Sequence, residues 1–233
     1  MLVADSEIAS FRDIRLMFSG YRLCQYDRQV YATCLEYYRE HPLVPEGSTC
    51  HIQTTFHEFA SKMGSTHNAK TYLAIRASLL RLSFAQLRLR YERLNIEVPK
   101  LLSVSFEDGA PTGDMQGSDM LLRITEPVAE LFGVACWTAV HKVAVDYDGL
   151  RGWLANFYAS HGKAKWIPLE SLYRLSGYES KMSNFKDSLV KALEKLKDPA
   201  TPEDTRVAKY HFNKEETSIY VVREEWLAGR DGE

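Results

Sequence analysis

No run in this sequence approaches the roughly 20 apolar residues of a membrane span. Its N-terminus has no basic segment leading into an apolar stretch and a cleavage site. The expectation is a cytoplasmic protein. Cysteine is scarce. Of Cys24, Cys34, Cys50 and Cys136, no two stand at CxxC spacing, and His51 beside Cys50 lacks a second pair at zinc-finger distance. Reduced, mostly buried thiols are expected, with no metal. The glycines are scattered rather than gathered into a phosphate cradle, and His57-Glu58 lacks the second histidine of a zinc-protease helix. Asp146 and Asp148 beside Gly149 read as turn residues rather than a metal pair. Neither an enzyme nor a cofactor is expected.

What is present is a repeated grammar. Phe56–Gly64 reads as a short helix closed by glycine, followed by the polar Ser65-Thr66-His67-Asn68 and a long amphipathic run to about Ser83. Leu169–Gly177 repeats the short helix, with a polar turn at Glu179-Ser180 and a long run over Ser180–Lys197. Thr54 or Thr55 caps the first short helix, and Gly64 supplies its left-handed end. Pro168 takes the first position of the other. Tyr72, Ile75, Leu79 and Leu82 form one buried stripe, and Phe185, Leu189, Leu193 and Leu196 the other.

Alternation predicts strands after each long helix. Gln86–Tyr91 pairs with Leu101–Phe106, the segment between them forming a wing, and Arg206–Phe212 pairs with Thr217–Val222 around Asn213–Glu216. Further helices are expected over Asp27–Glu40, Glu126–Phe132 and Leu150–His161. Short strands are expected at Cys50–Gln53, Met120–Ile124, Thr138–Val145 and Lys165–Ile167. The four tryptophans read as core or interface residues rather than base-stacking platforms.

The fold class is α+β, with two tandem winged-helix domains. Residues 1–110 form the first, 111–119 a linker rich in glycine and acidic residues, and 120–233 the second.

In a helix–turn–helix the second helix enters the major groove, and its N-terminal residues meet base edges. The first copy thereby offers Ser65, Thr66, His67, Asn68, Lys70 and Thr71, with Arg81 further along. The second offers Lys181, Ser183, Asn184 and Lys186. Asparagine can bond adenine twice, and lysine reaches guanine or phosphate. Ser65, Thr66 and Ser180 serve equally well as helix caps. Wing cations are Arg88, Arg90 and Arg93 in the first copy, and Arg206, Lys209 and Lys214 in the second. The net charge of −2 argues mildly against nucleic acid, but the distribution argues for it. Between Ser61 and Lys100 eight cations face two acids, and local potential is what steers a phosphate backbone.

The order of these parts resembles the plasmid replication initiators with tandem winged helices, of the TrfA and RepC type. The likeness runs over roughly Tyr21–Glu225. It rests on Tyr26-Asp27-Arg28-Gln29-Val30-Tyr31, Ala69–Ala85 leading into a strand, Leu150–Gly162, Ile167–Gly177, the Phe185–Leu196 helix and the closing hairpin. The resemblance implies a bacterial, plasmid-associated protein that binds directly repeated duplex DNA, called iterons, at an origin. It implies opening of adjacent AT-rich DNA and partnership with a host helicase and a host initiator. It also implies homodimers through the first domain that limit copy number. Two other readings of the residues stand beside it: a dimeric winged-helix transcriptional repressor, and a protein-interaction module that uses the fold as a scaffold.

Overall fold

Thr55 and Glu58 start the first short helix by exchanging hydrogen bonds. The Glu58 N–H donates to Thr55 Oγ1 at 3.1 Å, and the Thr55 N–H donates to Glu58 Oε2 at 3.1 Å. That backbone bond, with one from Thr54, holds the Glu58 carboxyl below its ordinary value. In this computed structural model, which describes residues 2–11, 14–40, 51–98, 100–107, 119–124 and 140–228, the helix is α2, Phe56–Met63. Before it come strands β1 (Leu2–Phe11) and β2 (Ile14–Tyr21), helix α1 (Gln25–Glu40) and strand β3 (Ile52–Thr55). After it come α3 (Ala69–Ser83), β4 (Gln86–Tyr91), β5 (Leu94–Val98), β6 (Ser103–Phe106) and β7 (Asp119–Arg123). Then follow α4 (Lys142–Asp146), α5 (Gly149–Ala159), β8 (Trp166–Pro168), α6 (Leu169–Leu175), α7 (Met182–Leu196), β9 (Val207–Phe212), β10 (Ser218–Arg223) and α8 (Glu225–Ala228).

The fold is mixed α+β, and the chain divides into two compact units. In the first, α1, α2 and α3 close over Val30, Phe56, Phe59, Ile75, Leu79 and Leu122. Each such side chain taken fully out of water contributes about 1.5–3 kcal/mol. Gly64 closes α2 in the left-handed region at φ 69°, a conformation that costs a side chain energy. Cys34 is fully buried, which pushes its thiol well above its ordinary range and leaves it an inert core residue.

The strands form two sheets, one in the order β1-β2-β4-β5 and one in the order β3-β7-β6. This corrects two sequence expectations. Gln86–Tyr91 pairs not with Leu101–Phe106 but with Leu94–Val98, through a two-residue turn that puts Tyr91 opposite Leu94. The strand expected to open the second domain instead completes the first unit's sheet, with Ile52 opposite Leu122 and Phe106 opposite Met120. Met120, Leu122 and Ile124 alternate into the first unit's core, so burial decides their allegiance. Residues 108–118, most of the expected linker, lie outside the described residues, as does the helix expected over Glu126–Phe132.

In the second unit β8, β10 and β9 form one antiparallel sheet, with Ile219 between Ile167 and Phe212. Leu154, Leu172, Phe185, Leu189, Leu193 and Ile219 fill its core. Pro168 sits one residue ahead of α6, at the cap rather than the first helical position. The Thr138–Val145 segment, expected as strand, is helical over Lys142–Asp146; His141 caps it by accepting the Val143 N–H at Nδ1, 3.3 Å away. Arg223, 3% exposed, ends β10 as a clamp. It donates to the carbonyls of Tyr158 and Ala159 on α5 and to the Asp204 carbonyl, and it pairs with Glu225. Burial pulls its pKa below the ordinary guanidinium value against these partners.

Candidate nucleic-acid interface

Both units place a short helix, a turn and a longer helix ahead of a hairpin. In the first, the turn is fixed by the Ser65 N–H donating to the Ala60 carbonyl at 2.9 Å. Asn68 caps α3. Its Oδ1 accepts the Thr71 N–H at 2.9 Å and its Nδ2 donates to Thr66 Oγ1 at 3.0 Å. Thr66 and Thr71 share a further bond of 3.1 Å. The cap therefore falls on Asn68 rather than on Ser65 or Thr66, and its amide is already engaged on both sides. His67 packs on His57 with ring centroids 4.3 Å apart and lies 3.0 Å from Ser61 Oγ. Lys70 is exposed and has no ion-pair partner among the described residues. Tyr26, Ser65, Thr66, Asn68, Lys70 and Thr71 together line an open groove along the start of α3.

Arg81 belongs elsewhere. Its guanidinium donates to the Asp27 carboxylate at 2.7 and 3.0 Å, and Ser78 donates to the same oxygen at 2.6 Å. The Cys24 N–H reaches the other oxygen at 2.8 Å. Asp27 is 1% exposed. Burial alone raises a carboxyl, but these donors outweigh it and hold Asp27 below its ordinary value. Arg81 thus ties α3 to α1 instead of presenting a free cation to DNA.

The first wing is also less free than its sequence suggests. Arg88 and Arg90 each lie 2.7 Å from a carboxylate oxygen of Asp5 on β1. Arg76 lies over the Phe106 ring and Lys62 over the Tyr37 ring. Arg93, at the β4–β5 turn, is exposed and unpaired among the described residues.

In the second unit, the turn before α7 is held by rings. Tyr173 and Tyr178 pack on Phe185, and the Tyr173 hydroxyl donates to the Ser180 carbonyl at 2.9 Å. Lys181, at the α7 cap, and Ser183 are exposed, and Lys181 has no ion-pair partner among the described residues. Asn184 Nδ2 donates to Ser180 Oγ at 2.8 Å. Lys186 pairs with Glu216 of the wing turn and lies over the Phe212 ring. Arg206 is a structural residue. It donates to the carbonyls of Thr201 and Pro199 at 2.9 and 3.0 Å and pairs with Glu224 at 3.2 Å. Lys214, in the β9–β10 turn, and Lys209 are exposed and unpaired among the described residues. Lys209 stands opposite Val222, on the sheet face away from the core residues Ile219 and Val221.

The arrangement thus gives each unit exposed polar side chains and, among the described residues, an unpaired lysine at the start of its long helix, α3 or α7. A helix N-terminus with free N–H groups and a nearby cation suits an anion such as phosphate. Among the described residues no helix is long and apolar enough to cross a membrane, and no three His, Cys, Asp or Glu side chains cluster as a metal site requires.

The class defined by this geometry is a mixed α+β fold of two helical units with antiparallel sheets. Two solved structures share it, both crystal structures of RctB domains 2 and 3. The first has a TM-score of 0.51 at 12% identity and covers 95% of this chain and 92% of that one. The second, a selenomethionine derivative, has a TM-score of 0.53 at 11% identity, with 91% and 87% covered. At such identity the likeness is one of fold. No protein-family model matches the chain, and no curated protein matches it in sequence.

Proposed function

We propose that this chain is a replication initiator, without catalytic activity of its own, that binds duplex DNA through two winged helices. In this role it binds directly repeated origin sites, opens adjacent AT-rich DNA, and has a host helicase and a host initiator as partners in a bacterial cytoplasm. The observation that carries it is the doubled helix–turn–helix with a following hairpin, each second helix beginning at an unpaired exposed lysine, Lys70 or Lys181. The likeness to RctB domains 2 and 3 over nearly the whole chain supports it, as does the sequence resemblance to plasmid initiators.

The test is binding to repeats from the protein's own replicon across a salt series. Log affinity falls against log salt by about 0.9 for each phosphate neutralised. Lys70→Ala and Lys181→Ala should each weaken binding and flatten that slope by about 1. A wild-type protein that binds no such duplex in a salt-sensitive way sinks the reading.

The homodimer has a surface to support it. Register puts Ile14, Tyr91 and Leu94 in one row and Leu16, Leu89 and Ile96 in the next, on one face of the four-stranded sheet. Leu94 and Ile96 are 61% and 52% exposed, on the edge strand β5. An apolar face beside an open edge suits a second copy of the same sheet. Ile96→Lys should shift a dimer to monomer in sedimentation; an unchanged dimer places the interface elsewhere.

A further inference from the structure

The outer face of the second unit's sheet carries a row of rings that are not among the duplex contacts proposed above. Register aligns Trp166, Tyr220 and His211 across β8, β10 and β9. Ring centroids are 5.4 Å apart for Trp166 and Tyr220, 5.1 Å for His211 and Tyr220, and 5.0 Å for Trp166 and His211. The neighbours Ile167, Ile219 and Val221 point into the core, so these rings face outward, and Trp166 is 48% exposed. An amphipathic sheet ordinarily places polar side chains on that side.

Cations flank the rings. Lys209 lies two residues before His211 on the same strand and face, and Lys163 and Lys165 lead into Trp166. All three are exposed and have no ion-pair partner among the described residues. The combination of planar apolar faces and unpaired positive charge complements one kind of polymer, a phosphate chain whose bases are unstacked and free. A duplex keeps its bases inside the stack and offers such rings nothing to stack on.

We propose that the Trp166–Tyr220–His211 row is a binding site for single-stranded nucleic acid. Bases stack on Trp166 and its neighbours, and Lys163, Lys165 and Lys209 track the phosphates. The site goes beyond duplex recognition and does not rest on it, because the face lies on the opposite side of the sheet from the core that seats α7.

The test uses the full chain, a fluorescein-labelled oligothymidylate of about 20 nucleotides and a duplex of equal length. Wild-type protein should bind the single strand and quench tryptophan emission. Trp166→Ala should weaken single-strand binding about ten-fold, from the usual worth of one stacked base, and Trp166→Phe should recover most of it. Both variants should keep the wild-type melting temperature and duplex affinity. Replacing Lys163, Lys165 and Lys209 by Ala should flatten the single-strand salt slope by about 2, at roughly 0.7 per phosphate. Absence of single-strand binding in the wild type overturns the proposal, as does Trp166→Ala binding unchanged or losing single strand and duplex alike. Loss of duplex binding alone would strike the proposed function and leave this site standing.

Discussion

Asp27 sits in the first turn of α1, and three donors converge on its carboxylate: Arg81, Ser78 and the Cys24 N–H. Removing one partner of a buried charge pair leaves the other without compensation, which typically costs about 3–5 kcal/mol. Arg81 is 30% exposed and recovers some hydration, so Asp27→Ala should cost about 3 kcal/mol by chemical denaturation, near the lower end. The pH dependence follows from the direction of the shift. The folded-state value lies below that of the unfolded chain, near 3.9. The stabilisation is therefore present in full above that unfolded value and is lost as pH falls through the folded one. The stability gap between wild type and Asp27→Asn should narrow below about pH 4. A gap that stays constant down to about pH 2 would contradict the pairing.

The elements show why some of this was legible in the sequence and some was not. The two long helices declare themselves by stripes at three- and four-residue steps, and all eight predicted stripe residues, from Tyr72 to Leu82 and from Phe185 to Leu196, are buried. The β4–β5 hairpin hid because its turn is Glu92-Arg93, with Glu92 at φ 51°. Such a turn usually announces itself with Asn-Gly or Asp-Gly, and neither stands between Tyr91 and Leu94. The alternation Leu94, Ile96, Val98 was there to be read once that turn was known. Pairing at long range left no local trace. Arg81 meets a carboxylate 54 residues away, and Arg88 meets one 83 residues away. The basic window is plain in the sequence, while the charges of Arg81, Arg88 and Arg90 are spent on carboxylates within the fold. One consequence belongs to the β1 strand. Asp5→Asn frees Arg88 and Arg90, so it should raise duplex affinity on every sequence and steepen the salt slope. Unchanged binding would mean that neither arginine lies near the backbone.

For the molecule as a whole, the order short helix, longer helix, hairpin occurs in both units, but the two are built differently. In the second unit the strand before the helix–turn–helix joins the hairpin after it in one sheet, as β8-β10-β9. In the first unit the strand before it pairs with β7, while the hairpin joins β1 and β2 in a separate sheet. The first unit thus carries an extra apolar sheet face and a tethered wing, and the second carries the outward ring row. Under the proposed function, both long helices, α3 and α7, engage one repeat. The most direct measurement is a hydroxyl-radical footprint of the full chain on tandem repeats from its own replicon. The expected result is protection of two major-groove segments about one helical turn apart within each repeat, by the spacing of such helices. Lys70→Ala and Lys181→Ala should each weaken a different segment. Protection centred on a palindrome, or a single segment sensitive to only one of the two substitutions, would contradict it.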